Sequence, residues 1–99
     1  MKLPRDLFLS FVKLHILHHA GREAVYGLGL IEELGRHGYR LSPGTLYPIL
    51  HGLEQDRLLV SEAYVVEGKV RKYYRLTATG RTTLREGKKK ARELMKAIE

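Results

Sequence analysis

Three histidines near the N-terminus have a spacing that suits metal binding. His15, His18 and His19 stand at i, i+3 and i+4, so on a helix their imidazole groups, which are common ligands of transition metals, lie on one side. The chain contains no cysteine that would complete such a site. Because most clusters of this kind are partly solvated helix residues, we predict that no metal is bound. The alternative is a metal site shared across a dimer or completed by His37.

A second reactive pattern lies on the same segment. Ser10 and Lys13 match the Ser-x-x-Lys nucleophile motif, but the companion motifs of that enzyme class are absent. The sequence also contains no glycine-rich phosphate-binding loop, no paired catalytic carboxylates and no Ser/His/Asp set. We therefore predict that the chain is not an enzyme and needs no cofactor.

Composition and charge narrow the class of partner. The 99 residues suffice for one domain with a modest core. The net charge is +7, and residues 69–99, with eleven Lys and Arg against three Glu, account for +8. This excess predicts a polyanionic partner, nucleic acid rather than a membrane surface; the alternative is that the charge only keeps a small protein soluble. With no cysteine, no signal peptide and no long apolar run, we expect a cytoplasmic protein.

Residues 41–54 carry the strongest helix signal in the chain. Ser42 suits the N-cap of a helix, and Pro43 suits its first helical position. An apolar stripe follows at helical spacing, formed by Leu46, Ile49, Leu50 and Leu53. The outer face and its flanks carry no Lys, Arg or Asn, and consist of Gly44, Thr45, Tyr47, Pro48, His51 and Gln55. We expect this face to dock against a large partner.

Two further helices precede this segment. Pro4 and Asp6 suit the first turn of a helix that ends near Gly21 as its C-cap. The wide apolar face of this helix predicts burial on more than one side, including against a second subunit. A second helix over 25–36, with Tyr26 facing the core, leads through a short glycine-rich link to Ser42. Two helices joined in this way, the second with a polar N-terminal face, form a helix-turn-helix pattern.

After this segment the hydrophobic period changes from helix to strand. Alternating residues predict strands over 59–66 and 69–76, with a turn at Glu67 and Gly68 between them. One face of the second strand carries Lys69, Arg71, Tyr73 and Arg75, and the other carries Val70, Tyr74 and Leu76. The basic face and cationic tip predict a wing that lies along phosphates. The alternative is an ordinary solvated strand face.

The last segment predicts a long helix over 78–98, with Thr77 as its cap. Apolar and small residues form one seam along it, namely Leu84, Gly87, Ala91, Leu94, Met95 and Ile98. A terminal helix of this length has little to pack against in a monomer, so the seam predicts dimerisation. The alternative is a helix that folds back on the first helix within one chain.

Several of these motifs resemble the PadR family of transcriptional regulators. They are Tyr26-Gly27, the run LSPGTLYPIL over 41–50, Leu53-Glu54, and the run RKYYRLT over 71–77 with Gly80. The resemblance covers nearly the whole chain and implies a dimeric DNA-binding repressor that a small ligand relieves. The chain departs from larger relatives in having a single terminal helix. It also contains no tryptophan on which a drug-stacking pocket would be built.

Together these observations predict a mainly α fold with a two-stranded β-wing. A winged helix-turn-helix DNA-binding domain is expected over residues 1–76, and a C-terminal dimerisation helix over residues 77–99. We expect a homodimer on a pseudo-palindromic double-stranded DNA operator, with a small-molecule effector as a further partner. The predicted DNA-binding residues are Ser42, Gly44, Thr45, Tyr47, Pro48, His51, Gln55, Lys69, Arg71, Lys72 and Tyr73. The alternatives are a metal-responsive repressor that uses His15, His18 and His19, and a winged-helix module that binds a protein.

Overall fold

The segments with helical and strand periods form four helices and one hairpin in the computed structural model, which describes residues 3–99. In chain order the elements are α1 (Arg5–Arg22), α2 (Gly27–Arg36), α3 (Pro43–Gln55), β1 (Leu59–Val66), β2 (Lys69–Leu76) and α4 (Ala78–Ile98). This is the predicted winged helix-turn-helix order with one further helix. Within the described residues, no helix is both long and apolar enough to span a membrane.

The core lies where α1, α2, α3 and the base of the hairpin meet. Val12 and Ile16 of α1 are fully buried there, as are Leu34 of α2 and Leu46 and Leu50 of α3. The remaining buried apolar residues are Leu17, Ala20, Leu30, Ile49, Leu53, Leu59, Tyr74, Leu76 and Leu84. The predicted apolar stripe of α3 therefore faces this core, which leaves the opposite face of α3 to solvent.

The hairpin pairs β1 with β2 in the predicted antiparallel register, from Leu59 opposite Leu76 to Val66 opposite Lys69. Glu67 and Gly68 have φ values of 51° and 77°, as a two-residue turn with left-handed central residues requires. The predicted apolar face of β2 is buried only at its base. Val70, near the tip, is 73% exposed, because the hairpin extends beyond the core.

Two helix ends differ from the prediction. The helix α2 begins at Gly27 rather than at residue 25, because Val25 pairs with Tyr74 of β2 through two backbone hydrogen bonds of 2.9 and 2.7 Å. Gly21 is inside α1 and is not a C-cap. A Cβ at Gly21 would lie 3.0 Å from Leu76 Cδ2, so the small residue lets β2 pack closely on α1.

The two halves of α4 have different environments, and this corrects part of the predicted dimer seam. Leu84 is buried in the core of its own chain, and a Cβ at Gly87 would lie only 2.7 Å from Leu14 Cδ1 of α1. These two residues therefore pack on α1, as the folded-back alternative supposes. From Lys88 onward every residue is exposed, including Ala91, Leu94, Met95 and Ile98. Of the predicted seam, only these last four residues are exposed.

Gly80 in the first turn of α4 tests how closely this helix packs on the loop that precedes β1. A Cβ at position 80 would overlap the carbonyl oxygen of Leu58. We expect Gly80→Ala to lower the free energy of unfolding by about 2–3 kcal/mol, as overpacking does in a rigid site. Urea denaturation followed by circular dichroism measures the change.

The matched control is Gly35→Ala, because a Cβ at Gly35 of α2 meets nothing within 4 Å. Alanine should stabilise that helix by up to about 1 kcal/mol. Equal effects of the two substitutions would contradict the packing described for Gly80.

Candidate nucleic-acid interface

The N-terminus of α3 is capped by a side chain. The Oγ of Ser42 accepts a hydrogen bond from the backbone N–H of Thr45 at 3.3 Å, and Pro43 occupies the first helical position. Ser42 also donates its hydroxyl hydrogen to Thr45 Oγ1 at 3.3 Å. The Thr45 hydroxyl keeps its own hydrogen, which is free to be donated to an external acceptor. The first turn of α3 is thus fixed before any partner binds.

The outward face of α3 matches the prediction. Gly44, Pro48, His51 and Gln55 are exposed, and none of them carries a fixed positive charge. Pro48 lies inside the helix, which nevertheless continues unbroken to Gln55. This face therefore offers shape and a few hydrogen-bonding groups, and electrostatic attraction must come from elsewhere.

Tyr47 connects α3 to the start of α2. A Cβ on Gly27, the first residue of α2, would overlap the Tyr47 hydroxyl, so the ring fits against bare backbone. The side chain nevertheless remains 38% exposed. Tyr47 therefore packs between two helices and also presents one edge to solvent, so this predicted contact residue is at the same time a packing residue.

A cleft of about 410 Å³ separates this tyrosine from the hairpin. Tyr47 and Tyr26 line one side of the cleft, and Lys69, Arg71 and Lys72 line the other. The structure thus brings the polar start of α3 and the cations of β2 to one surface. A cationic cleft beside a helix N-terminus is suited to an extended polyanion.

Arg71 is held in place by aromatic residues. Its guanidinium carbon lies 4.1 Å from the centroid of the Tyr26 ring, and its Nη1 donates to the Tyr73 hydroxyl at 3.5 Å. The hydrogen bond to Tyr73 raises the pKa of Arg71 above its ordinary value. The Tyr73 ring in turn contacts Tyr26 and Tyr64, at centroid distances of 5.4 and 5.7 Å. The cation is therefore oriented in advance, whereas Lys69 and Lys72 are exposed.

Comparison with known proteins decides the family. Residues 16–86 match the model of the transcriptional regulator PadR-like family. The chain belongs to the PadR-like family.

Individual relatives agree with this assignment. The chain is 52% identical over 94 residues to the transcriptional regulator Rv3488 of Mycobacterium tuberculosis, covering 95% of this chain and 88% of that protein. The crystal structure of a PadR family transcriptional regulator from Eggerthella lenta superposes with a TM-score of 0.83 and 34% identity, over 94% of this chain and 82% of that one. A PadR-like transcriptional regulator from Bacillus cereus gives a TM-score of 0.85 and 27% identity, over 94% and 92% of the two chains.

Membership settles the class of function. PadR-like proteins are transcriptional regulators and not enzymes, which confirms the prediction made from the absence of catalytic motifs. Regulators of this family bind DNA and typically dimerise. The cationic cleft beside α3 is therefore the candidate nucleic-acid interface of this PadR-like chain.

Sequence reasoning missed one residue of this interface. Tyr26 was expected to lie in the core, but it is half-buried and forms the ring surface on which Arg71 lies. No local pattern indicates this contact, because it depends on the pairing of Val25 with β2. Tyr74, also expected in the core, is fully buried.

The predicted histidine cluster is rearranged in the PadR-like fold. The ligand atoms of His15, His19 and His37 lie within 4.8 Å of one another. His18 lies outside this group, with its ring edge-on to His19 at 5.0 Å. Burial lowers the pKa of His15, of His18 and of His19, and nearby positive or imidazole groups lower each further. The third member is therefore His37, the residue named only in the alternative.

Ser42 gives a test of the capped start of α3. We expect Ser42→Ala to lower the free energy of unfolding by about 1 kcal/mol, because the N–H of Thr45 loses its acceptor. Ser42→Asp should keep most of the wild-type stability, since aspartate also caps and its charge suits the helix dipole. Urea denaturation at one fixed protein concentration compares the three chains. A loss as large for Asp as for Ala would show that the cap is not what stabilises this turn.

Proposed function

We propose that this PadR-like chain is a dimeric, sequence-specific DNA-binding repressor that a small ligand releases from its operator. The observation that carries the proposal is the cleft in which Tyr47 of α3 faces Lys69, Arg71 and Lys72 of the hairpin. A single surface then contacts the major groove with a helix and the neighbouring backbone with cations.

In this proposal α3 enters the major groove with its N-terminal end. The exposed backbone at Gly44 and the hydroxyl groups of Thr45 and Tyr47 contact phosphate oxygens, where the helix dipole favours negative charge. His51 and Gln55, which lie one and two helical turns beyond Tyr47, reach base edges. Ser42 acts mainly through its cap, and Pro48 keeps the outer face narrow. Because the face has no arginine or lysine, it determines the register of the protein on DNA more than its affinity.

The wing supplies most of the affinity. Lys69 and Lys72 are exposed and neutralise phosphates, which releases counterions. Arg71 suits a narrow minor groove or a phosphate, because Tyr26 and Tyr73 already orient its planar group. A cation held in advance loses less conformational entropy on binding than a free lysine does.

Dimerisation is proposed through the second half of α4, together with exposed apolar residues of α1. Leu94, Met95 and Ile98 are all more than half exposed, and so is Leu7 of α1. Several large apolar side chains exposed to this extent are typical of a protein–protein interface. Two subunits then present their α3 helices to half-sites about 34–36 Å apart on a pseudo-palindromic operator.

Ligand relief is proposed at a groove beside α3. A groove of about 610 Å³ lies between α1, α3 and α4, with Leu9 and Leu14 on one side and Pro48 and Leu53 on another. Its size and partly apolar lining suit a small organic molecule. A ligand there contacts Gly44, Thr45 and Pro48, which belong to the proposed DNA-binding face of α3, so binding would compete with DNA for the same residues.

The wing is tested by charge removal. Lys69→Ala, Arg71→Ala and Lys72→Ala combined should weaken binding to duplex DNA from upstream of the gene and to a random duplex alike. The slope of log K against log salt should fall by about 2–3, since each neutralised phosphate contributes about 0.9. Fluorescence anisotropy at several salt concentrations measures both effects.

The matched control removes the same charge from α4 through Lys88→Ala, Lys89→Ala and Lys90→Ala. A smaller change in slope is expected, because only the wing triple lines the cleft. An equal change in slope for the two triple variants would show that affinity depends on net charge alone and not on the cleft. If the wild-type chain bound no DNA even at low salt, the repressor proposal would be wrong, and a protein-interaction module would be favoured.

The dimer interface has its own test. Leu94→Gln with Ile98→Gln should convert a dimer to a monomer, because both side chains lie on the exposed seam. Lys89→Gln with Lys96→Gln, which lie off the seam on the same helix, should leave the dimer intact. Light scattering coupled to size-exclusion chromatography gives the mass. A wild-type monomer, or a dimer unaffected by the seam substitutions, would contradict this interface.

A further inference from the structure

The histidine group of His15, His19 and His37 lies apart from the DNA-facing cleft, where α1 meets the C-terminal end of α2. His15 and His19 are one helical turn apart on α1, and His37 is the first residue beyond α2. The centroid of the His37 ring lies 5.0 Å from that of His15 and 5.6 Å from that of His19. Two imidazoles of α1 and one from the turn after α2 therefore lie close together.

His19 has a polar atom that stacking cannot satisfy. The residue is only 9% exposed, and its Nε2 is buried without a hydrogen-bond partner among the described residues. An aromatic cluster with Tyr39, whose ring lies 4.9 Å from that of His15, accounts for the position of His15. It does not account for the bare nitrogen of His19, because a buried polar group requires a partner.

We propose that His15, His19 and His37 form a binding site for a divalent transition metal of the Zn²⁺ class. Their ligand atoms, all within 4.8 Å of one another, need only small ring movements to reach the spacing of a tetrahedral site with Zn–N bonds of about 2.0–2.1 Å. Three imidazoles with one open position are an established ligand set for zinc. A metal gives the buried nitrogen of His19 the partner that it lacks.

A carboxylate stands behind the exposed ligand. Glu33 Oε1 lies 3.8 Å from His37 Nε2, and Glu33 also forms an ion pair with Arg36. Carboxylates of this kind orient metal-binding imidazoles and raise their basicity. Glu33 is therefore a positioning residue for His37, and the fourth ligand of the metal is water.

The site connects α1 to the turn between α2 and α3. His37 is followed by Gly38, whose φ of 88° lets the chain reverse after α2, and this turn leads directly to Ser42. A metal held by His37 and the two histidines of α1 fixes the turn against the central helix. Metal binding should therefore raise the thermal stability of the folded chain. This inference goes beyond the proposed function, because it requires no DNA.

The experiment is a titration of the full chain with Co²⁺, which in a tetrahedral site gives intense visible absorption bands, followed by competition with Zn²⁺. One Co²⁺ per chain is expected. His37→Gln and His15→Gln should each weaken binding by more than about 100-fold, beyond the 10–100-fold expected for Glu33→Gln as an outer-shell change. Since His37 is exposed, its variant should fold normally, as circular dichroism without metal will show.

The matched control is His18→Gln, because His18 is adjacent in sequence but outside the group. Its affinity for Co²⁺ should equal that of the wild type, and Zn²⁺ should raise its melting temperature as it does for the wild type. The melting temperature of His37→Gln should not respond to Zn²⁺. No Co²⁺ bands in the wild type, full binding by His37→Gln, or loss of binding in His18→Gln would each overturn the site. Because no DNA is present, failure here leaves the repressor proposal untouched.

Discussion

Two backbone hydrogen bonds between Val25 and Tyr74 determine where the wing stands relative to the helix-turn-helix. They attach β2 to the segment that leads into α2, and the fully buried Tyr74 ring secures the same strand in the core. As a result Tyr26 lies under Arg71, Gly27 lies against Tyr47, and the cations of β2 face α3 across one cleft. Without this pairing only the packing of Leu59, Tyr74 and Leu76 at its base would hold the hairpin against the helices, and Tyr26 would not be placed under Arg71.

The same pairing marks the limit of prediction from sequence. Local signals found α3, the hairpin and α4, because a capping serine, a two-residue turn and a capping threonine act over a few residues. The start of α2 was wrong by two residues, since the pairing of Val25 joins positions far apart in the chain. Tyr26 was misassigned for the same reason. His37 lies beside His15 because of the way α2 packs on α1. The spacing of residues within α1 carries no information about that packing.

The distribution of charge separates two tasks within the candidate interface. The outward face of α3 has no cation, so it adds little to the long-range attraction that dominates binding to phosphates. In the proposed interface the wing supplies that attraction, from side chains that are either exposed or held by aromatic rings. An interface of this kind gains specificity from the shape of the groove and from the spacing of two half-sites. In the proposed dimer that spacing is set by the exposed end of α4, which would make it as important to recognition as α3 itself.

The helix α1 connects features that the sequence presents separately. Its buried residues Val12 and Ile16 are central to the core, Leu14 receives Gly87 of α4, and two of its histidines face the turn that leads to α3. A ligand shifts operator binding only if its affinity differs between the two arrangements of the protein. The turn after α2 and the first half of α4 both pack on α1. A metal at the histidines and a small molecule in the groove beside α4 would therefore act on the same helix. In the proposed dimer, a small change in the angle of α1 would alter the separation of the two α3 helices, and this separation must match the spacing of the two half-sites.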